Sequence, residues 1–174
     1  GFDDLIIGSS TSGIPASDFG LDLKMSPRIL VSHPVNPPYL VPIVELVGST
    51  QTSTATIDFT DKLMQAAHMS VVRVNKEVEG FVLNRLQAVL LREAWTLVAE
   101  GVCSCEDIDK TLRDGLGWRL SFMGPFETID LNAPGGRGRS RLREPLVRPQ
   151  RGRGEAAQGA SHRHATQPRL AVSV

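Results

Sequence analysis

A histidine and a glutamate are the two residues whose positions in the sequence most directly suggest acid–base chemistry. An apolar run at 29–31 leads to His33, and three prolines within 34–38 prevent a helix from forming there. A second apolar run at 41–47 contains Glu45 in its interior, where a carboxylate without a partner is unfavourable. The simplest partner is the imidazole of His33. Because a paired carboxylate fixes the tautomer of a histidine, we interpret this pair as a candidate general base.

Two other polar residues lie where ligands commonly bind. Ser12 belongs to a Ser/Thr/Gly loop after the apolar run at 5–7, and loops that follow strands bind ligands in open α/β sheets. Asn84 interrupts the start of an apolar helix predicted over 81–100. Each residue also has a purely structural explanation, as a loop-capping hydroxyl for Ser12 and as a polar contact at a domain boundary for Asn84.

The remaining charged groups have more than one possible role. Arg28 and Arg85 are alternative partners for Glu45, and Arg85 could equally pair with a different carboxylate. A histidine before a proline-rich turn also fits a structural role when it is considered alone. Glu127 is interpreted as a helix cap or as a brace between domains rather than as a reacting group.

The order of several motifs identifies a family. The sequence contains, in this order, Ser-Ser-Thr-Ser, His-Pro-Val-Asn-Pro-Pro, Val-Glu-Leu-Val, Gly-Phe-Val-Leu-Asn-Arg and Gly-Pro-Phe-Glu. In order and approximate spacing it resembles the 3-hydroxyacyl-CoA dehydrogenase family over about residues 4–136. The motif His-Pro-Val-Asn-Pro-Pro-Tyr, together with Asp-Gly-Leu-Gly at 114–117, is most similar to the lambda-crystallin/L-gulonate 3-dehydrogenase branch of that family.

The resemblance implies oxidation of a secondary alcohol, with the hydride passing to NAD and the proton to a base. His33 backed by Glu45 matches the base, and Ser12 and Asn84 match the polar groups that hold the reacting oxygen. Asn36 matches a position close to the cofactor, which Ser12 also adjoins. The implied substrate is a hydroxy acid such as L-gulonate, and a 3-hydroxyacyl-CoA or a carnitine-like alcohol is the alternative. A non-catalytic, crystallin-like structural protein is a further alternative.

The fold class that the resemblance implies is α/β. We expect the C-terminal half of a Rossmann-type NAD-binding domain over 1–78. Residues 79–136 should supply the first helices of an all-α C-terminal domain like that of 6-phosphogluconate dehydrogenase. The reacting groups would then meet in the cleft between the two domains, where ligand pockets are common. The family also implies a homodimer through the helical domain.

Apolar patterning predicts the individual elements of these domains. Short apolar runs predict parallel strands at 5–7, 28–33 and 41–47 and a closing edge strand at 70–74. Helical spacing predicts helices at 14–23, 53–68 and 81–100, followed by a helix capped by Ser104 that stops near 115–117, and by one opened at Gly124-Pro125. The broad apolar stripe of 81–100 is typical of a buried bundle helix.

The nucleotide-binding fingerprint Gly-x-Gly-x-x-Gly is not found in the 174 residues. In the family this loop follows the first strand and precedes the serine loop, so the chain, which begins at Gly1 without a methionine, is interpreted as truncated. The Gly-Arg-Gly-Arg of the C-terminal segment is no substitute, because the sequence predicts neither a strand before it nor a helix after it. We therefore expect the chain on its own to bind NAD weakly or not at all.

Charge divides the chain into two unlike parts. Residues 1–136 hold 10 Lys and Arg against 17 Asp and Glu, whereas residues 137–174 hold nine Arg against two Glu. A basic tail is one interpretation of this asymmetry and would bind nucleic acid. We favour translation of a GC-rich gene in the wrong frame, which yields the same Arg/Gly/Pro/Ala bias. We accordingly expect a disordered tail and no nucleic-acid partner.

Targeting and metal signals are weak. Cys103 and Cys105 have no nearby Cys/His set to complete a zinc site, and they are interpreted as ordinary thiols. No segment resembles a signal peptide, and no apolar run approaches the roughly 20 residues that span a membrane. These features predict a cytoplasmic protein with no metal and no membrane partner.

Overall fold

A four-stranded sheet forms the centre of the computed structural model, which describes residues 4–132. Its strands are Ile7–Ser9 (β1), Ile29–Pro34 (β2), Ile43–Gly48 (β3) and Ser70–Val74 (β4). The strand order is β1-β2-β3-β4, with β1 parallel to β2, β2 antiparallel to β3, and β3 parallel to β4. The predictions made for 137–174 lie outside the described residues.

The prediction that the first three strands are parallel is wrong for β3. Only residues 35–42 connect β2 to β3. Such a short link brings the chain back antiparallel to the preceding strand, because a parallel crossover needs a dozen or more residues. The antiparallel register places Leu30 opposite Gly48 and Pro34 opposite Val44.

β1 begins later than predicted and is not buried. Leu5 and Ile7 are both exposed, because β1 forms one edge of the described sheet. The unpaired N–H and C=O groups of such an edge are places where further strands can pair.

Six α-helices accompany the sheet in the described part of the chain. They are Ala16–Gly20 (α1), Thr54–Ala66 (α2), Leu83–Ala99 (α3), Cys105–Lys110 (α4), Gly117–Leu120 (α5) and Pro125–Asn132 (α6). Ser104 caps α4 as predicted, since its side chain accepts a hydrogen bond from the N–H of Asp107. The predicted stop near 115–117 is wrong, because a π-helical segment, Thr111–Leu116, leads directly into α5.

The sheet is packed on both faces. Leu30, Val44 and Leu46 point to one face, where Ile57 and Met64 of α2 pack against them. The opposite face carries the second cluster, which consists of Ala16, Val31, Val47 and Phe81. Adjacent residues of a strand point to opposite faces, so each apolar run supplies both clusters at once.

The predicted burial of α3 is wrong for the described residues. No residue of this helix is buried, and its apolar side chains are largely in solvent, with Trp95 66% exposed. The helix therefore presents an apolar stripe that the other residues of 4–112 leave largely uncovered.

The chain divides into two compact units after Leu112, and the described residues of these units are 4–112 and 113–132. The predicted domain boundary between 78 and 79 lies inside the first unit and stays a prediction. Within residues 4–132, no helix combines the length and apolarity required to cross a membrane. The same residues contain no cluster of three or more His, Cys, Asp or Glu side chains suited to a metal ion.

An ion-pair cluster ties α2 to β4. Arg73 on β4 donates through Nη1 to Asp58 Oδ1 at 2.6 Å, and it also pairs with Asp61 through Nε and Nη2. Asp61 is buried and additionally accepts a hydrogen bond from the side-chain amide of Gln65. These hydrogen bonds from Gln65 and Arg73 hold the pKa of Asp61 below its ordinary value of 3.8.

We expect Asp61→Asn to flatten the acid limb of the stability profile. A depressed carboxyl pKa means that the unfolded chain binds the proton more readily than the folded chain does. The stabilising contribution of Asp61 is therefore complete above its unfolded pKa of about 3.8 and is lost as the pH falls through the folded value. Thermal unfolding followed by circular dichroism from neutral pH downward measures this difference between variant and parent.

The control for this experiment is Asp18→Asn, which removes an exposed carboxylate from α1. It should leave the acid limb of the parent unchanged. An Asp61→Asn variant that lost stability below pH 3.8 as steeply as the parent would contradict the expectation.

Candidate active site

The antiparallel register of β2 and β3 places His33 directly opposite Glu45. His33 Nδ1 lies 2.8 Å from Glu45 Oε2, and the two residues are only 5% and 2% exposed. Both side chains point to the face of the sheet away from α2. Within the described residues Glu45 makes no ion pair with Arg28 or Arg85, so the histidine is the partner that the fold selects.

The second carboxylate oxygen of Glu45 binds the start of α3. Glu45 Oε1 accepts hydrogen bonds from the main-chain N–H groups of Val82 and Leu83, each at 2.9 Å. These donors are free because the first N–H groups of a helix have no partner within the helix, and their dipoles favour a negative charge. The buried carboxylate thus accepts three hydrogen bonds, one from β2 and two from the helix start.

Phe81 completes the surroundings of the histidine. Its ring centre lies 5.6 Å from that of His33, with the two planes inclined by 54°, and the residue is fully buried. Sequence reasoning missed this contact and the two main-chain donors, because it assigned Phe81 to the apolar stripe of a helix. The signal that could have found them is Gly80, which marks a turn immediately before a helix start.

This arrangement determines which ring nitrogen of His33 is available for chemistry. A carboxylate only accepts hydrogen bonds, so Nδ1 carries the proton that it donates to Glu45. In the neutral ring Nε2 is then the unprotonated nitrogen and can take a proton from a ligand. Nε2 has no hydrogen-bond partner among residues 4–132, and it is not one of the fully enclosed unpartnered atoms of this part of the chain.

The structure also brings Asn84 and Ser12 together. The side-chain amide of Asn84 donates to the backbone carbonyl of Ser12, not to its hydroxyl. Asn84 is half-buried on the first turn of α3, and Ser12 is exposed in the loop after β1. The Ser12 hydroxyl and the second N–H of Asn84 therefore stay available to a ligand.

Asn36 lies apart from this hydrogen-bonded set. It is exposed in the segment after β2, where it precedes a cis peptide bond to Pro37. No hydrogen bond joins Asn36 to the other predicted site residues in the described part of the chain. Because β1 and β2 are parallel, the loops that carry Ser12 and Asn36 follow the same edge of the sheet, which is where ligands bind in open α/β sheets.

Comparison with known proteins gives a consistent result. The model of the 3-hydroxyacyl-CoA dehydrogenase NAD-binding domain matches residues 2–78, and the model of the C-terminal domain of the same family matches residues 80–150. The chain belongs to the 3-hydroxyacyl-CoA dehydrogenase family. The second match runs past residue 136, where the motif resemblance was expected to end.

Relatives and solved structures agree with this family. Lambda-crystallin of Oryctolagus cuniculus is 49% identical over 133 residues, which are 76% of this chain and 42% of that protein. An L-carnitine dehydrogenase of Streptomyces griseus is 42% identical over 126 residues, which are 72% of this chain and 38% of that protein. A solved NAD-dependent dismutase, 5-formyl-3-hydroxy-2-methylpyridine 4-carboxylic acid 5-dehydrogenase, superposes with a TM-score of 0.71 at 34% identity, covering 75% of this chain and 42% of that one.

The chain thus spans about two fifths of the length of the curated relatives that it matches. The α/β fold class is confirmed, as a Rossmann-like NAD-binding part followed by a helical part. The family's cofactor, NAD, is the one expected from the motifs. The catalytic roles of the site residues, the cytoplasmic location and the homodimer stay predictions.

The residues present fit one end of NAD and not the other. The loops after β1 and β2 carry hydroxyl and amide groups at the edge of the sheet where β2 ends, one residue after His33, which suits the reactive nicotinamide end. The strand-to-helix turn after β1 has a single glycine, Gly13, and leads into a five-residue α1. It therefore does not provide the glycine-rich helix start that holds a pyrophosphate.

We expect Glu45→Gln to reverse the tautomer of His33. The amide oxygen of the glutamine can still accept from Val82 and Leu83, which leaves its NH₂ group facing His33 Nδ1. Nδ1 must then accept, so the proton moves to Nε2 and the ring can no longer act as a base there. Nitrogen NMR of the ring in the chain labelled with isotopic histidine reports the tautomer directly.

Glu77→Gln is the matched control, since Glu77 also accepts a main-chain hydrogen bond, from the N–H of Ser17 at 3.0 Å. That variant should leave the His33 resonances in place. Persistence of the Nδ1–H form in Glu45→Gln would show that Glu45 does not set the tautomer.

We also expect the 174-residue chain to show no saturable binding of NADH at micromolar concentrations. The reason is that residues 4–132 contain no glycine-rich helix start that could bind the pyrophosphate. Fluorescence titration measures the affinity. The reference is a chimera in which rabbit lambda-crystallin supplies the sequence outside the matched 133 residues. Micromolar affinity of the unaided chain would contradict this expectation.

Proposed function

We propose that this chain carries the alcohol-oxidising centre of an NAD-dependent 3-hydroxy-acid dehydrogenase, and that its substrate is a polar hydroxy acid of the L-gulonate type. The observation that carries the proposal is the buried His33–Glu45 pair, which leaves Nε2 of the imidazole as a proton acceptor. Membership of the 3-hydroxyacyl-CoA dehydrogenase family supports the reaction class.

His33 removes the proton of the substrate hydroxyl. Its Nε2 accepts that proton as the O–H bond breaks. The electron pair of that bond forms the C=O double bond, and the hydrogen on the hydroxyl-bearing carbon leaves as a hydride. NAD, when bound, supplies the acceptor for that hydride. The imidazolium that results carries a positive charge next to the Glu45 carboxylate, which stabilises it.

Asn84 and Ser12 orient the reacting oxygen in this proposal. The Asn84 amide is held by the carbonyl of Ser12, so its second N–H has a fixed direction. That N–H and the Ser12 hydroxyl can both donate to an oxygen that gains negative charge as its proton departs. Donors that are fixed in advance are effective because they need no reorganisation during the reaction.

The choice of substrate rests on the relatives. The lambda-crystallins are 47–49% identical to this chain, and the L-carnitine dehydrogenases are 42% identical. Together with the resemblance of the His-Pro-Val-Asn-Pro-Pro-Tyr motif to the lambda-crystallin/L-gulonate branch, this order favours a sugar acid over carnitine or an acyl-CoA. The lambda-crystallin relatives also favour a second candidate function, a non-catalytic structural protein.

The test measures NADH formation by the lambda-crystallin chimera with L-gulonate, L-carnitine and 3-hydroxybutyryl-CoA, with the unmodified rabbit protein assayed alongside. We expect the highest kcat/KM with L-gulonate. His33→Ala should lower kcat by about 100-fold or more, which is the usual contribution of a general base.

The control for the histidine is His68→Asn. His68 is exposed before β4, and its backbone has a φ of +61°, which asparagine tolerates. This variant should retain the parent rate. A preference for carnitine or the acyl-CoA would refute the substrate, and turnover that survives His33→Ala would refute the base. A folded chimera that oxidises none of the three alcohols would favour the structural role.

A further inference from the structure

The turn before α3 has an unusual backbone. Gly80 and Phe81 have φ angles of +73° and +49°, so two successive residues are left-handed. The other non-glycine residues with positive φ in the described chain are Asp22 and His68, whose types adopt this region more readily than others. A bulky aromatic residue in this conformation is an outlier, and such outliers persist only where the surrounding structure enforces them.

Packing enforces the conformation of Phe81. The side chain is fully buried in the cluster formed with Ala16, Val31 and Val47, on the same face of the sheet as the His33–Glu45 pair. Its ring lies against the imidazole, 5.6 Å between centres. The aromatic ring therefore occupies one side of the imidazole and limits its rotation.

The left-handed turn also sets the direction of the helix start. Immediately after it, the N–H groups of Val82 and Leu83 converge on Glu45 Oε1, and the Asn84 amide reaches the carbonyl of Ser12. A helix rotates by about 100° per residue. If Phe81 had an ordinary helical backbone, the helix would begin earlier and these donors would point elsewhere.

We infer that Phe81 is a positioning residue for the proposed alcohol oxidation, and that the Gly80–Phe81 turn is the device through which it acts. The inference rests on the proposed function. The aromatic ring fixes the plane of His33, and the turn aims two main-chain N–H groups at Glu45. Phe81 thereby orients the His33 ring directly. Through the turn, it also directs the N–H groups that bind the Glu45 carboxylate and places Asn84 at the start of α3.

The most direct test disfavours the left-handed backbone of the turn without introducing a steric clash. In Gly80→Ala the new Cβ meets Arg85 and Asn84 side-chain atoms at 3.6 Å, an ordinary contact distance, so the substitution adds no clash. It does disfavour the left-handed φ. Gly101→Ala is the matched control, because Gly101 has a φ of +70°, follows the end of α3, and has nothing within 4 Å of the new Cβ.

The first measurement uses the 174-residue chain and needs neither cofactor nor substrate. Nitrogen NMR gives the tautomer of the His33 ring, assigned with His33→Gln, and hydrogen exchange gives the protection of the Val82 and Leu83 amides. We expect Gly80→Ala to bring the two ring-nitrogen resonances of His33 together through tautomer exchange and to remove the protection of both amides. Gly101→Ala should lose stability through the same backbone strain. It should change neither the His33 ring-nitrogen resonances nor the protection of the Val82 and Leu83 amides.

A second variant keeps the test decisive if Gly80→Ala does not fold. Phe81→Leu retains the apolar character and the glycine of the turn and removes the ring that faces His33. Its control is Leu30→Val, which trims a fully buried side chain in the cluster on the other face of the sheet. Phe81→Leu should give the tautomer exchange and Leu30→Val should not.

The second measurement is turnover of the chimera. Misplacing a base by a small distance can reduce the rate on the order of 100-fold, so Gly80→Ala should lower kcat by about that factor with little change in KM. An inactive chimera whose His33 still responds to Gly80→Ala would remove the proposed function and retain the positioning role. If His33 and both amides are the same in Gly80→Ala, in Phe81→Leu and in the parent, the inference is overturned, whatever the chimera's activity.

Discussion

The burial of one carboxylate constrains the whole site. Removing an ion from water costs on the order of several kcal/mol, and the structure offsets this only by giving the ion well-placed hydrogen bonds. Glu45 receives three of them, from His33, Val82 and Leu83. Because the donors come from β2 and from the start of α3, satisfying the charge requires both elements in place. The base is therefore oriented by the same interactions that dock the helix.

The sheet supplies the geometry that makes this possible. The short connection between β2 and β3 forces an antiparallel pair, whose register sets His33 across from Glu45. Alternation along each strand then separates two tasks. Leu30 and Leu46 bind α2 on one face, and the opposite face holds the polar pair among Val31, Val47 and Phe81. The reactive pair is thus built into the core, where its side chains have little freedom.

The sequence is enough to predict the polar pair, but not the groups that hold that pair in place. A charged residue inside an apolar strand needs a partner, so the pattern of residue types favours His33 over Arg28 and Arg85 as the partner of Glu45, and it identifies Ser104 as a helix cap. Strand direction was misjudged because apolar runs do not encode it; the eight-residue link at 35–42 does. The donors at Val82 and Leu83 are not predictable in this way, because every residue except proline has a main-chain N–H and the residue types do not indicate which of these groups bind a side chain. The exposure of α3 depends on what covers it, and a local pattern cannot report that.

The cross-strand position of the pair has a consequence for how the sheet assembles. A slip of β3 by one residue would turn every side chain to the other face, since the side-chain period of a strand is two. Glu45 would then enter the apolar layer beside Ile57 and Met64, without a donor. The glutamate thus penalises misaligned versions of the sheet more heavily than an apolar residue would. The Glu45 carboxylate, which sets the tautomer that the imidazole needs for proton transfer, therefore also favours the correct register of β2 and β3.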